Sequence, residues 1–96
     1  MTNNRTWLAF ANEDVCNHRM ALKELGFVNW TTKIKSKFVE NDIVYLFMND
    51  DRAVRFKLRV AEVNAERGDS DYWKGDAPQD KTYRLEPVGK EYEVTC

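Results

Sequence analysis

Asn41-Asp42-Ile43-Val44-Tyr45-Leu46-Phe47-Met48, then Asn49-Asp50-Asp51-Arg52, then Ala53-Val54-Arg55-Phe56-Lys57-Leu58-Arg59-Val60-Ala61-Glu62-Val63 is the stretch whose reading decides the fold. Its first run is almost continuously apolar and rich in β-branched and aromatic residues, the pattern of a strand buried on both faces. Four polar residues follow, of types that tolerate tight backbone geometry, so a turn is expected there. The second run alternates: Val54, Phe56, Leu58 and Val60 face one way and Arg55, Lys57 and Arg59 the other. That is a half-buried strand with a basic outer stripe. The two runs predict a hairpin that the rest of the chain must cover.

The sequence has 96 residues, 43% of them hydrophobic, which suits one domain over residues 1–96. No apolar run is long enough to span a bilayer. The polar start, Met1 to Arg5, leads into a strand, so no signal peptide is expected. Cys16 and Cys96 form neither a metal-ligand spacing nor a disulfide framework, and a reducing cytoplasm is the simplest inference. The net charge of −1 hides an asymmetry. Residues 31–60 carry seven Lys/Arg against four Asp/Glu, and residues 61–96 five against nine. Such segregation fits an anionic partner on one face, or simply a solvated strand face.

Outward from the hairpin, Arg5 to Ala11 reads as a first strand. Asn12 can cap a helix that carries Glu13 and Asp14 in its first turn and ends at Leu25, with Gly26 as its left-handed terminus. Val15, His18, Ala21, Leu22 and Leu25 share the core face of that helix. Trp30 and the basic residues Lys33, Lys35 and Lys37 then fall in a loop, anchored by Phe38 and Val39. Asn64 to Asp80 is a long loop holding Tyr72 and Trp73; Lys81 to Glu86 is a further strand, and Tyr92 to Val94 a last short one. The expected class is α+β: a small, curved mixed sheet with one main flanking helix.

The sequence offers catalysis little. Cys16 and His18 are two apart, pointing about 200° away from each other on a helix, and cannot form a local dyad. One histidine and two distant cysteines supply no metal site, and the carboxylates are scattered through loops. No Gly-rich phosphate cradle is present, so no enzyme, metal or cofactor is expected. His18 is either a satisfied core histidine or a polar group on a pocket wall. Trp30 and Trp73 are each either tucked onto the core or a recognition wall. Two aromatic walls with polar groups between them can sandwich a flat ring while basic residues hold phosphates.

At Trp7 to Asn12, Val28 to Thr32, Asn41 to Phe47 and Phe56 to Val60 the chain resembles the EVE domains of the PUA-like superfamily, and through them the YTH domains. The resemblance covers about residues 6–63. It departs from the family at Asn41, where Gly is usual, and at Phe47, where Tyr is frequent. The resemblance implies a PUA-like partial barrel that binds a modified, for example methylated, base of DNA or RNA without catalysis. Trp30 matches one wall of the aromatic cage, Thr31 the residue beside it and Asn12 a base-edge reader. Trp73 is placed as the second wall, with His18 and Asp14 as neighbours. Lys33, Lys35, Lys37, Arg55 and Arg59 would contact phosphates. A fused or associated nuclease or NTPase is the further partner that the family suggests, as in restriction systems, with no membrane partner. The alternative is a protein-interaction or regulatory domain on the same scaffold with no open pocket.

Overall fold

The structure, a computed structural model, describes residues 4–32 and 37–92. Among these residues five strands form one sheet: β1 (Thr6–Ala11), β2 (Val28–Thr31), β3 (Ile43–Met48), β4 (Ala53–Ala65) and β5 (Thr82–Pro87), in the order β1-β3-β4-β5-β2. β1 runs parallel to β3, and the other neighbours are antiparallel. The only α-helix among the described residues is α1 (His18–Glu24), and a 3-10 turn spans Ser70–Tyr72. The sheet is small, mixed and curled into a half-barrel, an α+β fold.

The central hairpin forms as the sequence predicts, and its register shows what bends the sheet. Leu46 pairs with Phe56 but Phe47 with Val54, so Arg55 is an extra residue in β4. Further extra residues fall between Val60 and Glu62 and between Glu62 and Ala65, where Asn64 has φ of +57°. Bulges of this kind increase local twist and bend the strand that carries them. β4 is therefore the bent spine of the half-barrel. Its concave side takes Phe56, Leu58 and Val60, all buried, against Val44, Leu46 and Met48 of β3 and Leu85 of β5. β3 is not buried on both faces, however. Ile43, Tyr45 and Phe47, on the other face, are only partly covered by the described residues. Phe38 and Tyr83 belong to the same core and Trp7 packs against it, with ring centroids 5.4 Å (Trp7–Phe38) and 4.8 Å (Phe38–Tyr83) apart. Phe38 anchors its segment with its side chain as expected; the Val39 side chain is exposed, and Val39 holds the segment through its backbone, its N–H donating to Asp42 Oδ2 and its carbonyl accepting from the Asp42 N–H.

The helix is shorter than the sequence suggests. Asn17, not Asn12, caps it, its side chain accepting from the Met20 N–H at 3.1 Å. Residues 15–17 are instead drawn into extended pairing with the Trp73 segment: Asn17 N–H donates to Tyr72 O and Lys74 N–H to Val15 O. His18, Ala21 and Leu22 are buried as predicted, whereas Val15 and Leu25 are exposed. Gly26 ends the helix with φ of +82° and its N–H on Leu22 O. An added Cβ at Gly26 meets nothing within 4 Å. Gly26→Ala therefore isolates backbone strain, and thermal melting should show a loss of about 1 kcal/mol. The segment around Trp30 is not a loop: it is β2, an edge strand paired to β5, with Trp30 opposite Tyr83. Residues 93–94 of the predicted last strand, Lys33, Lys35 and Cys96 lie outside the described residues.

Candidate functional site

β1 and β2 are the two free edges of the curled sheet and do not pair with each other. The gap between them holds a cleft of about 280 Å³ lined by Phe10, Asn12, Val15, His18, Asn29, Trp30, Thr31 and Trp73. The site is thus where the barrel fails to close. Sequence reasoning nominated Trp30, Trp73, Asn12, Thr31 and His18, and all five are brought together here. Asp14 is not among the lining residues and is exposed; its backbone N–H donates to Asn12 Oδ1 at 3.0 Å. That bond fixes which end of the Asn12 amide is occupied and leaves Nδ2 as the group available to a ligand.

Trp30 is held by its strand. It packs on the core and stands 5.2 Å from the His18 ring, tilted by 42°. His18 is buried, and its Nδ1 has no hydrogen-bond partner among the described residues. Burial pushes its pKa below the ordinary value, with the Asp69 charge acting in the opposite sense, so the ring is neutral at neutral pH. Beside it, burial and the Asp69 charge raise the Cys16 thiol to about 12, which makes it a packed, unreactive group.

Trp73 is a loop residue, yet it is fixed more firmly than a loop alone would fix it. Its Nε1–H donates to Asp69 Oδ1 at 3.2 Å, and the Arg67 guanidinium lies 4.7 Å from its ring centroid. Arg67 does not line the cleft, so the indole is braced from behind. Arg67 and Asp69 form an ion pair of 2.7 Å whose side chains are 2% and 0% exposed. The same pair closes the free edge of β2: the Asn29 N–H donates to Asp69 Oδ2, and Asn29 O accepts from Arg67 Nη1. Two charged side chains stand in for the next strand. The Asn29 amide is consumed by Gly68, Thr82 and Glu66, so it offers the cleft no polar group. This brace was invisible in the sequence, since the reach from residues 67 and 69 to residue 29 is tertiary.

The expected phosphate contacts are placed differently. Lys37 is exposed. Arg55 and Arg59 do not line the cleft: Arg55 is paired with Asp51 and Glu91 at 2.8 and 2.6 Å, and Arg59 bonds Asn41 and lies near Glu86. Arg59 alternates with buried residues as expected, whereas Arg55 is the extra residue of a bulge; acids on the turn and on the β5 side already neutralise both. Among the described residues no group of three or more His, Cys, Asp or Glu side chains could hold a metal, and no helix is long and apolar enough to cross a membrane. Compared with protein-family models, with curated proteins and with solved structures, the chain finds no match.

Proposed function

We propose that this domain is a non-catalytic reader of a modified base in DNA or RNA, on a PUA-like scaffold of the EVE type. The observation that carries the reading is the convergence of two indoles from different parts of the chain on one small cleft that the Asn12 amide also lines. A cleft of that size suits a single heterocycle rather than a folded partner. Trp30 and Trp73 supply stacking surface, and Asn12 Nδ2 a donor for an acceptor on the base edge. Neutral His18 closes the wall without charge. Phosphate attraction falls to the lysines that follow β2 in sequence (Lys33, Lys35 and Lys37) and to exposed Lys74 beside Trp73, not to Arg55 or Arg59.

Titration of tryptophan fluorescence with short oligonucleotides at low salt, plain and base-modified, tests the proposal. A modified oligonucleotide is expected to bind and to perturb the emission. Trp73→Ala is expected to weaken that binding by about 1–3 kcal/mol, roughly 5- to 150-fold, with Trp30→Phe weakening it less. Unchanged fluorescence with every oligonucleotide would favour the interaction-domain alternative.

A further inference from the structure

The face of the sheet turned away from the core is divided in two. On its β4 and β5 half charged side chains pair with one another, Glu86 with both Arg59 and Arg84. On its β1 and β3 half no outward side chain is charged: β1 contributes Thr6, Leu8 and Phe10, and β3 contributes Ile43, Tyr45 and Phe47. Leu8 and Phe10 are 54% and 64% exposed, and Tyr45 and Phe47 are only partly covered by the described residues. The parallel register sets Leu8 beside Tyr45 and Phe10 beside Phe47, whose rings meet edge to face at 5.4 Å. Phe10 also lines the cleft. An aromatic strip therefore starts at the cleft and crosses the sheet from Phe10 to Phe47 to Tyr45.

We infer that this strip is a stacking platform for single-stranded nucleic acid, carrying nucleotides next to the base held in the cleft; the inference rests on the reading of the cleft given above. Three observations select this occupant. The first is the rings themselves, flat surfaces on which any unpaired base can stack. Phe47 and Tyr45 are two apart on one strand, about 7 Å, a step that one extended nucleotide spans. The second is charge. Lys57 lies opposite Tyr45 in the β3–β4 register and has no ion pair among the described residues, and exposed Arg5, just before β1, has none either. The acids beyond Phe47, Asp50 and Asp51, are already held by Arg19 and Arg55. Phosphates running along the strip thus meet cations that no acid compensates. The third is continuity, because Phe10 belongs to both surfaces and a strand leaving the cleft over that rim passes directly onto the platform. A duplex is no alternative occupant, since its bases are stacked on one another and offer the rings no face.

The probe is a labelled, unmodified oligothymidylate of twelve residues, followed by fluorescence anisotropy at low salt, with the same strand annealed to oligodeoxyadenylate as the control. The single strand is expected to bind about tenfold or more tighter than the duplex. Tyr45→Ala should weaken it about fivefold or more, whereas Trp73→Ala, which strikes the cleft, should not. Lys57→Glu keeps the test open if the Tyr45 variant is poorly folded: it should weaken binding and lower the salt slope by about 0.7 or more. Irradiation of a strand carrying one 5-iodouracil should attach it to Tyr45 or Phe47, read by peptide mapping. Absence of single-strand binding overturns the proposal, whether or not the protein then associates with itself or with lipid vesicles. So does equal binding of the duplex, or attachment only to Trp30 and Trp73. Failure of the cleft reading looks different: a base-modified strand would then bind no tighter than the plain one, while the plain strand still bound through Tyr45.

Discussion

Asp69→Ala should destabilise the domain by about 3–5 kcal/mol, the cost of leaving a buried charge without its partner. The loss is large for a domain of this size, whose total stability is of order 5–15 kcal/mol. Asp69 is fully buried and accepts from three separate groups: the Asn29 N–H, Arg67 Nη1 and Trp73 Nε1. Its removal strands a guanidinium that already has one buried nitrogen, Nη2, without a hydrogen-bond partner among the described residues. It also frees the β2 edge and unpins the cleft's second indole. Chemical denaturation measures the stability loss. If the brace works as described, ligand affinity should fall with it, and Trp73 emission should shift toward that of a solvated indole. Arg67→Leu combined with Asp69→Leu should cost less than Asp69→Ala alone, since an apolar pair leaves no unpaired charge. A single variant as stable as the parent would show that the pair braces nothing.

The second large effect is expected at Asp42. This carboxylate is 1% exposed, and each oxygen accepts twice: Oδ1 from the Asn4 side chain and the Arg5 N–H, Oδ2 from Trp7 Nε1 and the Val39 N–H, all at 2.9–3.0 Å. Burial pushes its pKa up, but the bonds from Trp7, Arg5, Asn4 and Val39 outweigh that and hold it at about 2, below the ordinary 3.8. A carboxylate depressed in the folded state makes the unfolded chain the better proton acceptor. Its contribution is complete above the ordinary carboxylate pKa and is lost as pH falls through about 2. Melting temperature should therefore decline on acidification below pH 3.8, and Asp42→Asn should flatten that limb. Asparagine also turns an amide donor toward two groups that are themselves donors. Asp42→Asn should thus cost about 2–4 kcal/mol at neutral pH, read from denaturant midpoints. An unaltered acid limb in that variant would reject Asp42 as its origin.

How far the sequence showed this molecule depends on where its signals were local. The alternation from Phe56 to Val60 reports burial directly, and Phe56, Leu58 and Val60 are in the core; Val54, expected on the same face, is shifted off it by the extra residue Arg55 and lies opposite Phe47, only partly covered. The apolar run from Ile43 to Met48 misleads, because an outward face of Ile43, Tyr45 and Phe47 looks the same in sequence as an inward one. Asn12 and Asn17 are equally good cap residues by type. The choice between them is made by pairing with residues 72–74, about sixty positions away in the chain. β2 has four residues, two of them polar, and Asn29 is buried only because the segment after β4 folds over it. The cleft was partly legible, since indoles in hydrophilic surroundings are conspicuous. Phe10, Val15 and Asn29 were missed as lining residues because nothing in their spacing ties them to Trp73.

The bulges of β4 have a mechanical consequence. β4 is the middle strand, and the cleft is bounded by the two outermost ones, so the aperture between its walls is the chord of the arc that β4 draws. A guest gripped at both rims works as a clasp on that arc. It would quiet amide exchange along β4, a strand it never touches.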